Sequence, residues 1–164
     1  MPRRFITLAL VLAATTALSA TPARAHPQEQ HCVIRATGTT PTGELVTTAP
    51  ECFDQFAAAM AYAHRPAAGA STAQTTFIIG IHYDGLGFTG SSFTVVGSDC
   101  LGGWLNAPAG WDNRIRSTVN GCPRIRHYDG PNLTLGTYGF QDTVGSGGNL
   151  STLDRRTSSI QYLT

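Results

Sequence analysis

The pattern of apolar and polar positions divides this chain near residue 75. Ahead of that point one segment has a helical period. Phe53, Phe56, Ala57 and Met60 fall at i, i+3, i+4 and i+7, the spacing that lines one face of an α-helix. Thr48-Ala49-Pro50-Glu51 before it has capping-box form, with proline in the first turn where its missing N–H costs least. His64-Arg65-Pro66 closes it with basic groups and a stop. The run CVIRA at 32–36 predicts one short strand, and PAAGASTAQT at 66–75 reads as a linker of small and polar residues.

From Thr76 onward the helical stripe disappears. Short β-prone runs, TTFIIGIHY, SSFTVV, IRSTV, RIRHY and SSIQYL, alternate with glycine-rich turns, and Asn120-Gly121 marks a turn midway. Many short strands at this spacing predict an all-β sandwich or barrel over residues 76–164. The whole reads as a small disulfide-closed strand-plus-helix segment (26–65), either an appendage or a pro-segment, a linker (66–75) and a β domain (76–164).

The β region is internally repeated. HYDG occurs at 82–85 within GIHYDG and again at 127–130 within RIRHYDG, its two starts 45 positions apart. Tyr83 is followed at +5 by Phe88 and at +7 by Gly90, and the unit closes on Asp112-Asn113-Arg114-Ile115-Arg116-Ser117. The second unit runs from Tyr128 to Asp154-Arg155-Arg156-Thr157-Ser158-Ser159. Both ends recur, so the tetrapeptide marks two copies of one structural unit.

These residues resemble the βγ-crystallin Greek-key motif, in which an aromatic precedes a folded aromatic-x-Gly hairpin that a late serine ties down. The corresponding residues are Tyr83, Phe88, Gly90 and Ser117 in the first unit, and Tyr128 and Ser159 in the second. Glycine suits such a hairpin because it takes a positive φ cheaply. The second hairpin departs from the pattern: Leu133 stands at the aromatic position, Leu135 at the glycine, and Gly136 comes one place late, which predicts a slipped or bulged hairpin. The resemblance implies two Greek keys packed as a βγ-crystallin-like sandwich. It is closest to secreted bacterial members, including the crystallin-fold peptidase inhibitors.

The resemblance also implies a candidate calcium centre, since many microbial members bind the ion through loops of the form N/D-N/D-x-x-S/T-S. Asp112, Asn113, Asp154 and Ser158 supply oxygen donors of the kind a hard cation takes. In each loop, however, arginine stands where a donor belongs: Arg116 in place of a hydroxyl, Arg155 in place of an acid or amide. A fixed cation repels calcium. The expectation is therefore loops degraded into structural corners, their arginines pairing with Asp112 and Asp154, with one weak residual calcium site as the alternative.

Composition narrows the class. Met1–Arg4 carries two arginines, Phe5–Leu18 is almost wholly apolar, and Ala23-Arg24-Ala25 has the form of a cleavage site, together a secretory signal peptide over 1–25. All eleven basic residues are arginine. The eight beyond the leader face ten carboxylates, a formal charge of −2, which offers no electrostatic reason to seek nucleic acid or anionic membrane. Four cysteines, Cys32, Cys52, Cys100 and Cys122, read as two disulfides in an exported chain. Three pairings are open; proximity favours Cys32–Cys52 and Cys100–Cys122.

No GxSxG elbow, HExxH helix or CxxC pair appears, so the chain does not read as an enzyme. His82 and His127 hold equivalent places ahead of Tyr83 and Tyr128; a shared metal site is the sharp reading, a strand position imposed by the repeat the simpler one. The resemblance implies a secreted binding protein that inhibits an extracellular protease, with a calcium-binding or purely structural crystallin as the alternative. The candidate loops for protease contact are Leu101–Gly110 and Asp129–Gly136, with Trp104 and Trp111 either interface anchors or buried sandwich aromatics.

Overall fold

The structure is a computed structural model that describes residues 29–66 and 75–164. The leader and most of the 66–75 linker lie outside the described residues. The elements in chain order are β1 (His31–Thr39), β2 (Leu45–Thr47), β3 (Glu51–Phe53), α1 (Phe56–Ala63), β4 (Phe77–Tyr83), β5 (Ser92–Gly97), β6 (Trp104–Asn106), β7 (Ser117–Asn120), β8 (Arg124–Tyr128), β9 (Phe140–Val144), β10 (Gly147–Asn149) and β11 (Ser159–Leu163). The fold is all-β but for one short helix. Its strands form a seven-stranded sheet ordered β10-β7-β4-β5-β1-β2, with β3 also on β1, and a four-stranded sheet ordered β6-β11-β8-β9.

The two repeat units each contribute three strands to one sheet and lend the third to the other. In the first unit β4, β5 and β7 stay together while β6 pairs with β11. In the second, β8, β9 and β11 stay together while β10 pairs with β7. Between the sheets lies the main core, with Phe93, Ile115, Ile125, Leu153, Ile160 and Tyr162 all fully buried.

The hairpin of each unit is closed by the same serine device. Ser117 Oγ donates to the Gly85 carbonyl at 2.7 Å and accepts the Phe88 N–H at 3.0 Å. Ser159 Oγ donates to the Gly130 carbonyl at 2.7 Å and accepts the Leu133 N–H at 3.0 Å. Phe88 and Leu133 both sit at positive φ, 66° and 60°, a conformation a bulky residue adopts only when its surroundings hold it there. The second hairpin is longer rather than slipped. Tyr83 pairs with Ser92 but Tyr128 pairs with Phe140, so three extra residues enter before the strand returns. Asp129 Oδ2 holds them by accepting the Thr137 and Tyr138 N–H groups at 2.6 and 2.9 Å.

The segment 29–66 is built into the larger sheet. β1 runs parallel to β5, and Cys32 lies directly opposite Cys52 where β3 pairs with β1. This covers the edge that β5 would otherwise expose. It also explains why all six residues of β5 are buried: one face meets the inter-sheet core and the other meets α1. Ala59 and Ala63 of the helix pack there on Val33 and Val96.

The helix begins later than its capping signal implies. Residues 51–53 are a strand, and the N-cap is Gln55, whose side chain makes no cap hydrogen bond. The Cys32–Cys52 bridge and the β1–β3 ladder hold Glu51–Phe53 extended, which overrides local helix preference. The far end is served from outside the helix. Arg35 of β1 donates Nη2 to the Tyr62 and Ala63 carbonyls at 2.5 and 3.4 Å, placing a cation at the negative end of the helix dipole.

Candidate functional site

The loops 112–117 and 154–159 meet face to face. The Asn113 N–H donates to the Thr157 carbonyl at 3.0 Å, and the Arg155 N–H to the Ile115 carbonyl at 2.9 Å, a reciprocal pair. Asn113 and Arg155 occupy equivalent places and share a positive φ, 57° and 58°. The repeat read from the sequence is thus a repeat of backbone conformation, down to residues that pay strain for it.

The candidate calcium donors come together only in part. Ser158 Oγ donates to Asp112 Oδ1 at 2.6 Å, and Asn113 Nδ2 donates to Asp112 Oδ2 at 3.2 Å. Asp154 is drawn aside by Arg116, which grips it with Nε and Nη2 at 2.8 and 3.0 Å. That hydrogen bonding holds the Asp154 carboxyl below the usual carboxylate range. Arg114 donates Nε and Nη2 to a single oxygen of Asp84, Oδ2, at 3.0 and 2.5 Å. Asp112 is met by a serine and an asparagine rather than by an arginine. Asp84, Asn113, Arg114 and Arg155 line a shallow cleft of about 200 Å³. Among the described residues no three His, Cys, Asp or Glu side chains gather as a metal-ligand group.

The Arg114 and Arg116 guanidinium groups therefore neutralise Asp84 and Asp154 as a bound cation would. Replacing Arg116→Ser and Arg155→Asp together frees Asp154 and restores two oxygen donors. The double variant is expected to bind calcium at least about tenfold more tightly than the parent, because charge count and donor number set calcium affinity. Calorimetric titration of both proteins measures it; equal affinities would show that the arginines do not exclude the ion.

His82 and His127 face each other across the core. His82 Nε2 lies 3.0 Å from Tyr162 Oη and Nδ1 3.0 Å from Thr118 Oγ1, which in turn lies 2.9 Å from His127 Nε2. All four residues are fully buried. The links accommodate one proton each with both rings neutral. Burial pushes His82 well below its ordinary value, and a charge on His127 would push it further. Burial likewise lowers His127 to about 4, against the opposing influence of the Gln141 backbone and Asp142. Among the described residues His127 Nδ1 meets no hydrogen-bond partner. The repeat brought the two histidines to notice, but Thr118 and Tyr162 carry no signal of their own in the sequence; only the register of β7 on β4 and of β11 on β8 delivers them.

The two candidate contact loops touch each other. Asn106 Nδ2 donates to Asn132 Oδ1 at 2.9 Å, and Asn106 Oδ1 accepts the Asn132 N–H at 2.7 Å. Trp104 is buried, donating its indole N–H to the Thr42 carbonyl at 3.1 Å, and Trp111 is buried edge-on against Phe93. Neither tryptophan is a surface anchor. At the other end of the first loop, Cys100 is bonded to Cys122. The Leu101 N–H donates to Asp99 Oδ1 at 3.0 Å. The Gly102 N–H donates to the Tyr162 carbonyl at 2.9 Å, and the Gly102 carbonyl accepts Gln161 Nε2 at 3.2 Å. Leu101 itself is 81% exposed.

The bonds Cys32–Cys52 and Cys100–Cys122 leave no free cysteine and suit an oxidising, extracellular-type environment. Among the described residues no helix is long and apolar enough to cross a membrane. No family model, no curated protein and no solved structure matches this chain.

Proposed function

We propose that this chain is a secreted, βγ-crystallin-like binding protein that inhibits an extracellular peptidase. The exchange of third strands between two repeat units and their twin serine-tied hairpins support the crystallin-like part of this reading. The inhibitor part rests on one observation above others: the loop 98–103 is exposed at Leu101 while its backbone is tied on both sides. An inhibitor has to present a loop already ordered, because ordering it on contact would be subtracted from the binding energy. A disulfide, an Asp99 side-chain cap and two hydrogen bonds from β11 meet that requirement.

Titration of the purified, oxidised protein against a panel of extracellular endopeptidases tests the reading. Residual activity should fall linearly to zero near one equivalent, with the chain intact by mass. Undiminished activity across serine, cysteine and zinc enzymes would dismiss it. The second reading is a structural crystallin, favoured by the reciprocal backbone pair between the 112–117 and 154–159 loops and by the Arg116–Asp154 and Ser158–Asp112 contacts across them. A calcium-binding crystallin would melt higher with calcium than with chelator; a structural one would not.

A further inference from the structure

We infer that Leu101 is the side chain that enters the target, and that the target is an endopeptidase whose specificity pocket is deep and apolar. The inference rests on the inhibitor reading above and names its contact point and partner class.

Leu101 is the most exposed large apolar residue among the described residues. Phe140 is roofed by the Arg126 guanidinium at 4.0 Å, Tyr138 by Arg156 at 3.6 Å, and Phe88 leans on the Tyr83 ring. Each has a structural partner that accounts for its place. Leu101 stands apart: its neighbours are Ser98, Asp99, Gly102 and Gly103, none of which rivals it in bulk. Gly102 takes φ +94°, which turns the chain sharply behind the leucine and leaves that side chain at the apex.

An isolated leucine in water gains nothing for the fold, yet this one sits on exposed backbone held by a disulfide, by the Asp99 carboxylate and by two hydrogen bonds with β11. A single apolar side chain on a pre-ordered apex matches a concave apolar pocket rather than a flat or charged surface. Endopeptidase pockets that accept leucine have that shape. Val144, 65% exposed, lies within strand β9, so the competing loop anchor is Leu135, 54% exposed on the longer second hairpin.

Inhibition constants for the parent, Leu101→Ala, Leu101→Lys and Leu135→Ala, measured against one protease with an apolar pocket and one with an acidic pocket, test the assignment. Leu101→Ala should weaken inhibition of the first enzyme by roughly 10- to 100-fold, the range for emptying a hydrophobic pocket, while its melting temperature stays that of the parent. Leu101→Lys should move inhibition to the second enzyme, and Leu135→Ala should change nothing. If the parent inhibits and Leu101→Ala inhibits equally well, the inhibitor reading stands and this assignment falls. Loss of inhibition in Leu135→Ala alone overturns it in favour of the second hairpin. A parent that inhibits neither enzyme, nor any in the wider panel, overturns both.

Discussion

Between pH 6.5 and pH 4 the folded protein should lose about 3 kcal/mol of stability through His127 alone, with a further loss through His82. In the unfolded chain each imidazole takes up its proton as pH falls through the ordinary value near 6.5. In the fold, His127 resists protonation down to about 4 and His82 is likewise depressed. Across that window the unfolded state binds more protons, so stability is full above pH 6.5 and declines as the solution is acidified. Tyr162 remains neutral throughout, its hydroxyl raised well above the usual tyrosine value by burial. Protonating both histidines would set two like charges in rings only 5.5 Å apart. Asp142 and Asp154 are held low by Arg126 and Arg116, so their contribution is lost only at more acid pH. Urea unfolding at half-unit steps from pH 7 to 4 reads the slope directly. His127→Gln should remove one proton's worth of it. A flat profile would show that the native core tolerates a charged imidazole.

Removing the Cys100–Cys122 bridge should cost about 3 kcal/mol, by the loop-entropy argument for a closed loop of some 20 residues. For a chain of this size that corresponds to a fall of roughly 10 °C in melting temperature. The paired substitution Cys100→Ala with Cys122→Ala should cost more than Cys32→Ala with Cys52→Ala, although the two loops are nearly equal in length. Cys122 is buried in the inter-sheet core, so its truncation adds a packing loss. Cys32 and Cys52 lie on neighbouring strands that their backbone ladder already joins. On the inhibitor reading proposed above, the first variant should also inhibit less well, since Leu101 follows the lost bridge directly. Differential scanning calorimetry of both variants checks the order; equal losses would mean the core contact of Cys122 contributes nothing.

Much of the local structure could be read from particular residues. The runs around Ile81, Val95, Ile125 and Ile160 became β4, β5, β8 and β11 because alternation and β-branching are local signals. The edge strands β6, β9 and β10 went unread: short and rich in glycine or polar residues, they owe their conformation to the partner strand and not to their own composition. Gly121 illustrates the limit. Asn120-Gly121 announced a turn, but the need for glycine there is tertiary. A Cβ would stand 1.8 Å from the Ile78 carbonyl oxygen, where the Gly121 and Cys122 N–H groups both donate to Ile79.

By itself the sequence determined the two-unit repeat, the serines that close its hairpins, and the cysteine pairs favoured by proximity, because each depends on residues near one another or on copies of one pattern. Only the tertiary structure decided that β1 runs parallel to β5, that each unit lends its third strand to the opposite sheet, and that Arg116 reaches Asp154 across 38 residues. It also decided which face the helix covers. Ile81 beside Tyr83 in the first unit has Arg126 beside Tyr128 in the second, so one outer face favours burial under α1 and the other favours water. Those pairings set residues distant in sequence against each other, and the free energy that selects them arises only once both sheets are in place.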